Sequence, residues 1–349
     1  MSNSGAVPKR DLRQEITDAM IAALEKGTAP WQRPWRAGAL EMPFNPTSEK
    51  PYRGGNAIHL MLTSTSREYE DPRWLTYRQA QEKGWQVRKG EKGTHIEFWQ
   101  FGSRPTGQQP IREEPEPNRP SQTRDGPLHR VYTVFNGKQI DGIPAYSPRV
   151  RQEWDTVQSA ESILQHSGAK IIHDQDDRAF YNRLTDSIHL PPKGAFQSAG
   201  AYFGTALHEL SHWTGTSDRL NRSTLVESYR FGDLNYAKEE LRAELASVFL
   251  MAERGVRHNP DGHAAYLGSW LEALRQDKHE IFRAARDAHT AADLLLALEL
   301  EPSIEKALAS VDSHQAGAQI EEPSLTTSGQ PPQLTLPLQI RSPSAEISI

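Results

Sequence analysis

The pentapeptide His208-Glu209-Leu210-Ser211-His212 constrains this chain more than any other stretch, because it places two imidazoles one helical turn apart with a carboxylate beside the first. Residues i and i+4 on an α-helix share a face, so both imidazoles can reach one tetrahedral metal ion. Glu209 then stands next to the ion's open coordination position, where a carboxylate can take a proton from water. His-Glu-x-x-His on a helix is a zinc hydrolase signature. The run Ala199 to Leu207 leads into the motif as a helix, and Gly215 with Ser217-Asp218 supplies its stop.

A catalytic zinc site keeps one position for water, so a third protein ligand must come from elsewhere in the chain. The segment Tyr236 to Leu250 reads as a second helix with Leu241, Leu245, Val248 and Phe249 on its apolar stripe. It carries Glu239, Glu240 and Glu244. Glu240 and Glu244 are again i and i+4, so one can bind metal while the other accepts a proton from a ligand histidine. That arrangement resembles the gluzincins, in which the first carboxylate is the ligand. Glu240 is therefore the expected ligand and Glu244 its supporting neighbour, with Glu244 or Glu239 as the alternatives. Glu239 points about 100° away from Glu240 on a helix, so for it a solvated helix face stays open as the alternative. Tyr202, Tyr236 and His263 are the candidates for stabilising an oxyanion.

The chain has 349 residues, a length that suggests two domains. Hydrophobic residues make up 36% and mean hydropathy is −0.70, so polar loops or tails are expected. No apolar stretch approaches a membrane span, and the amino terminus lacks the apolar core of a signal peptide. With no cysteine, disulfides and thiolate metal sites are excluded, and a cytoplasmic location is expected. The net charge of −5 gives no global attraction to nucleic acid, so any such function must rest on a local surface.

Residues 11 to 26 read as an amphipathic helix stopped by Gly27. Ile96 to Phe101 reads as a strand with Val131 to Phe135 as its partner, and residues 102 to 127, rich in Pro, Glu and Gln, as a disordered insertion between them. A further helix ends at Gly168, and short strands follow around 170–173, 178–181 and 187–190. A hairpin ahead of a metal-binding helix offers an edge on which an extended substrate can pair.

Five of the eight Trp residues fall before residue 100, interleaved with basic side chains. Flat aromatic faces stack on unpaired bases while Arg and Lys track phosphates, the chemistry of single-strand binding. The residues this nominates are Trp31, Arg33, Trp35, Tyr52, Arg53, Asn56, Trp74, Tyr77, Arg78, Arg88, Lys89 and Lys92. The segments Pro51-Tyr52-Arg53-Gly54-Gly55-Asn56, Asp71 to Thr76 and Gly84 to Thr94 look like the amino-terminal domain of ArdC-type antirestriction proteins, also found in TraC-type plasmid primases. His208 to Gly215 and Tyr236 to Leu245 resemble the zincin-like metallopeptidase domain fused to it.

The resemblance covers about residues 11 to 300. It implies an α+β chain of two domains. A small α+β single-stranded-DNA-binding domain spans 1–143, and a mainly helical metallopeptidase domain with a short sheet spans 151–300. Residues 301–349 read as a disordered tail. It further implies a plasmid or mobile-element protein that protects incoming DNA from restriction, with Zn²⁺ held by His208, His212 and Glu240 and with Glu209 as catalytic base. The peptidase substrate is left open between a restriction component, another host protein and the chain itself. The alternative is a non-proteolytic DNA-protection protein whose metal is structural. Within the tail, Gln333-Leu334-Thr335-Leu336-Pro337-Leu338 looks like the hexapeptide that docks bacterial proteins on the sliding clamp, with Gln333, Leu334, Leu336 and Leu338 as its contacts.

Overall fold

Helix α1 (Leu12–Glu25) is capped by Asp11, whose side chain accepts from the Gln14 amide. Its buried stripe of Ile16, Met20 and Leu24 repeats every four residues, and the helix is followed by Gly27 at a φ of 73°. This structure, a computed structural model, describes residues 11–27, 29–31, 40–100, 128–148, 151–227, 233–257, 267–301 and 303–318. Helix α2 (Gly54–Ser66) is followed by β1 (Trp74–Thr76), α3 (Tyr77–Glu82), β2 (Gln86–Val87), β3 (Thr94–Gln100), β4 (Leu128–Asn136) and β5 (Ile140–Asp141). Strands β1, β4 and β3 form an antiparallel sheet in that order, and β3 and β4 pair as expected, with Ile96 opposite Tyr132. The expected insertion between β3 and β4 lies outside the described residues.

Helix α4 (Glu153–His166) leads into β6 (Lys170–His173), β7 (Phe180–Asn182) and β8 (Ser187–Leu190). Strand β8 lies centrally, parallel to β6 and antiparallel to β7, so β7 is an edge strand. Helix α5 (Ala199–Trp213) starts at Ser198, which caps the Ala201 amide, and carries the His-Glu-x-x-His motif. It is followed by α6 (Ser223–Val226), α7 (Leu234–Arg254), α8 (Leu267–Gln276), α9 (Glu280–Leu300) and α10 (Ile304–Ala318). Helix α7 is central, packed on α5, α8 and α9, and is buried almost all round between Ala237 and Met251. Among the described residues no helix is long and apolar enough to cross a membrane.

The two domains share a core, and one expectation is corrected. The boundary between residues 143 and 151 does not divide the apolar core: Ile16, Met20, Trp31 and Ile58 belong to the same buried cluster as Leu207, Leu245 and Leu295. Helix α1 packs on α8 and α2 on α9, so the amino-terminal helices are covered by the carboxyl-terminal ones. Only the satellite clusters around Trp74 and Leu75 belong to the amino-terminal half alone. The tail expected from residue 301 begins as α10, which packs on α9 through Ile304, Ala307, Leu308 and Val311. That spacing of i, i+3, i+4 and i+7 is an apolar helical stripe, masked in the sequence by the polar composition around it. Residues 319–349, including the clamp-like hexapeptide, lie outside the described residues.

Burial of Val311 makes a direct test of this docking. Val311→Asp should destabilise the fold by about 2 kcal/mol or more, because it places a carboxylate in an apolar contact. Ala309→Asp, on the exposed side of the same helix, should stay within about 0.5 kcal/mol of wild type. Urea unfolding of both variants measures the difference.

Candidate metal centre

Helices α5 and α7 pack so that His208 and His212 face Glu240. The two Nε2 atoms are 3.3 Å apart, Glu240 Oε2 is 3.3 Å from His208 Nε2, and Glu240 Oε1 is 3.4 Å from His212 Nε2. Donors about 2.0–2.1 Å from a tetrahedral ion stand about 3.3–3.4 Å from one another; each histidine meets its own oxygen of Glu240 at about that separation, and one donor atom from each of the three residues lies within 4.8 Å of the others, so the group can hold a zinc-sized cation. All three side chains are buried. Burial opposes charge on the imidazoles, yet the surrounding carboxylates prevail: Glu240 and Glu244 hold the His208 pKa well above its usual value, and Glu240 with Glu239 raises that of His212 to about 9. Such an environment favours a cation.

The two other glutamates of α7 lie behind the ligands. Glu239 Oε1 is 3.3 Å from His212 Nδ1, and Glu244 Oε2 faces His208 Nδ1 at 3.8 Å. Both are therefore on the Nδ1 side, where a carboxylate sets the tautomer that leaves Nε2 for a metal. The solvated face left open for Glu239 by its helical phase is not what the structure shows. The residue is fully buried and held by the Arg222 guanidinium and by the Thr224 hydroxyl at 2.6 Å. Burial alone would raise its pKa, but Arg222 and His212 overcome that and hold it down to about 2. Arg222 reaches this position, and the Ser211 carbonyl, past Gly215, where a Cβ would lie 2.5 Å from its Nη2. Spacing carried no signal for this residue, because the partners come from the loop after α5.

Glu209 is buried beside His208, and burial is the main cause that raises its pKa above the usual carboxylate value. The nearby Tyr181 backbone on edge strand β7 offsets a small part of that rise. Of the oxyanion candidates, Tyr202 lies roughly 240° around α5 from His208 and contacts His173 Nε2 at 3.2 Å. Tyr236 is one turn before Glu240 and half-buried, while His263 lies outside the described residues. A second chain of groups, Asp174–His189–Ser187, links Nδ1 to carboxylate and Nε2 to hydroxyl at 2.9 Å each. Ser187 is only 1% exposed, so it has no substrate access and the chain serves to brace β8.

The residues nominated for DNA separate into three groups. Trp31 and Trp74 are 1% and 0% exposed, so neither offers a face to a base, which corrects that expectation. Tyr52, Arg53 and Asn56 are engaged in holding the fold together. The Tyr52 hydroxyl donates to the Trp74 carbonyl at 2.9 Å, Asn56 bonds the Glu97 backbone at 2.7 and 3.0 Å, and Arg53 pairs with Asp293 of α9. Tyr77, Arg78, Arg88, Lys89 and Lys92 are exposed on α3, on the loop after β2 and nearby, although Arg78 pairs with Glu82 and Arg88 with Glu91. Arg33 and Trp35 lie outside the described residues.

Comparison with known proteins gives a family match in each half of the chain. Residues 10–135 match the family described as the N-terminal domain of anti-restriction factor ArdC, and residues 158–287 match a zincin-like metallopeptidase family. A DNA primase TraC of Escherichia coli is 46% identical over 84% of this chain, although the chain spans only 20% of that primase. Two crystal structures of the antirestriction ArdC protein of plasmid R388 are each 38% identical. The metal-free form superposes with a TM-score of 0.65, covering 83% of this chain and 98% of the other. For the Mn(II)-bound form the TM-score is 0.66, with 84% and 99% covered.

One divalent ion per chain is the expected stoichiometry, measured by metal analysis after dialysis. His212→Ala should lose most of it and Glu209→Gln should keep it. Glu244→Gln should weaken binding about 10- to 100-fold, as removal of a carboxylate supporting a ligand histidine typically does.

Proposed function

The chain belongs to the ArdC antirestriction family, and from that premise we propose that it is a plasmid or mobile-element protection protein with two activities. It engages single-stranded DNA through its amino-terminal half and hydrolyses peptide bonds of a protein substrate at a zinc ion held by His208, His212 and Glu240. The observation that supports the second activity is the buried carboxylate of Glu209, adjacent to His208 on α5 and under the influence of both histidines and Glu240. A purely structural metal site has no use for a buried carboxylate there.

When bound, the ion supplies Lewis acidity: it polarises a carbonyl and makes a water easier to deprotonate. Imidazole and carboxylate donors suit zinc, and the related R388 protein has been crystallised with Mn(II). Glu209 takes the proton of the attacking water on its carboxylate and later delivers it to the leaving amine nitrogen. Its raised pKa moves it toward the range in which one group can do both. Strand β7 is an edge of its sheet among the described residues, and the Tyr181 backbone on it is near enough to Glu209 to act on its carboxyl, so an extended peptide added to β7 would pass along the site. A cavity of about 250 Å³ beside the same strand, lined by Tyr181, Arg183, Asp218, Arg219 and Leu225 among others, can take a substrate side chain. The exposed group Tyr77, Arg78, Arg88, Lys89 and Lys92 is the proposed DNA surface, combining one stacking ring with phosphate-binding charges.

Wild type and Glu209→Gln, both metal-loaded, should be compared on host-cell lysate. Specific cleavage products are expected with wild type only. Equal protection of DNA by both, without cleavage by either, would establish the protein as a binding module. Binding of the full chain to single-stranded DNA should weaken as salt rises. Lys89→Ala or Arg88→Ala should lower the slope of log affinity against log salt by about 0.7 for each phosphate no longer neutralised. An unchanged slope in both would place the DNA elsewhere on the molecule.

A further inference from the structure

Beyond α1 the chain turns at Gly27 and buries Ala29 and Trp31 among the carboxyl-terminal helices. The Trp31 ring lies 6.4 Å from that of Trp270 on α8, tilted by 54°. Its indole Nε1 donates to Glu244 Oε1 at 2.9 Å, across 213 residues of sequence, and both side chains are buried. The second oxygen of the same carboxylate is the one that faces His208 Nδ1. An indole N–H is a donor only, so it stabilises Glu244 as a carboxylate and fixes the plane in which Oε2 is presented. Glu244 in turn acts on the tautomer and orientation of His208.

We propose that Trp31 is a positioning residue of the metal centre, contributed by the amino-terminal half, so that the metallopeptidase region does not carry a complete centre of its own. Trp31 touches neither ion nor substrate and acts through Glu244 and His208. The proposal rests on the reading of His208, His212 and Glu240 as metal ligands.

The test is metal affinity of the full chain by competition with a chelator dye. Trp31→Phe keeps the ring in the core and removes the N–H. It should weaken binding about 10-fold, the lower end of what removing an outer support does, while metal-free unfolding remains cooperative. In a Glu244→Gln background the same substitution should add little, because the two act along one path. Trp270→Phe perturbs the same ring packing while keeping the Trp31 N–H that donates to Glu244, and it should leave affinity unchanged. Unchanged affinity in Trp31→Phe, an additive decrease in the Glu244→Gln background, or an equal decrease in Trp270→Phe would each overturn the proposal. Should Trp31→Phe fail to fold, Glu244→Gln against Trp270→Phe still decides: equal decreases in those two would reduce Trp31 to core packing. Retention of metal by His212→Ala would instead bring down the ligand assignment, and is distinguishable from all of these.

Discussion

Helix α7 buries Glu239, Glu240, Arg242 and Glu244 within two turns, and the rest of the architecture is arranged to make that tolerable. An ion removed from water without a partner costs several kcal/mol even after relaxation, so four of them on one central helix must each be matched. Glu239 is met by Arg222 and Thr224 from the segment after α5, and Glu240 by the two histidines of α5. Arg242 is met by Glu280 and Asp287 of α9, and Glu244 by Trp31 from beyond α1. The partners come from different sides of α7. Helix α7 is therefore fixed in rotation as well as position, and the ligand triangle inherits that precision.

The matching also explains why the two halves of the chain are not independent bodies. Apolar packing of α1 on α8 and α2 on α9 supplies area, while Trp31 and Arg53 supply polar contacts across the same boundary. The proposed DNA surface on α3 and the loop after β2 sits outside this shared core, on the satellite cluster of Leu75, Ala80, Val87 and Ile140. The buried metal-ligand group and the exposed face on α3 thus coexist because they draw on different cores.

Much of this was readable before any tertiary contact was known. The periodicity of Ile16, Met20 and Leu24 marked α1, alternation marked β3 and β4, and the four-residue spacing of His208 and His212 marked a shared face. Glu240 and Glu244 were separable as a pair because helical phase puts them together. Glu239 stays undecided in the sequence, since phase predicts direction but not what lies in that direction. Likewise Trp31, Trp74, Tyr52 and Asn56 have the composition of a nucleic-acid surface, yet the chain spends them on burial and on bonds to Glu244, Trp74 and Glu97.

By itself, then, the sequence determined the local helices and strands, the His-Glu-x-x-His face and the chemistry those donors can perform. These follow from backbone geometry, which relates residues a few positions apart in a fixed way. Only the tertiary structure decided that Glu239 pairs with Arg222, that α10 closes over α9, and that Trp31 reaches Glu244 rather than a base. Those outcomes depend on which distant element comes to cover a given side chain. A buried polar atom takes whatever donor or acceptor the packing delivers, and nothing in its own neighbourhood of the chain specifies which that is.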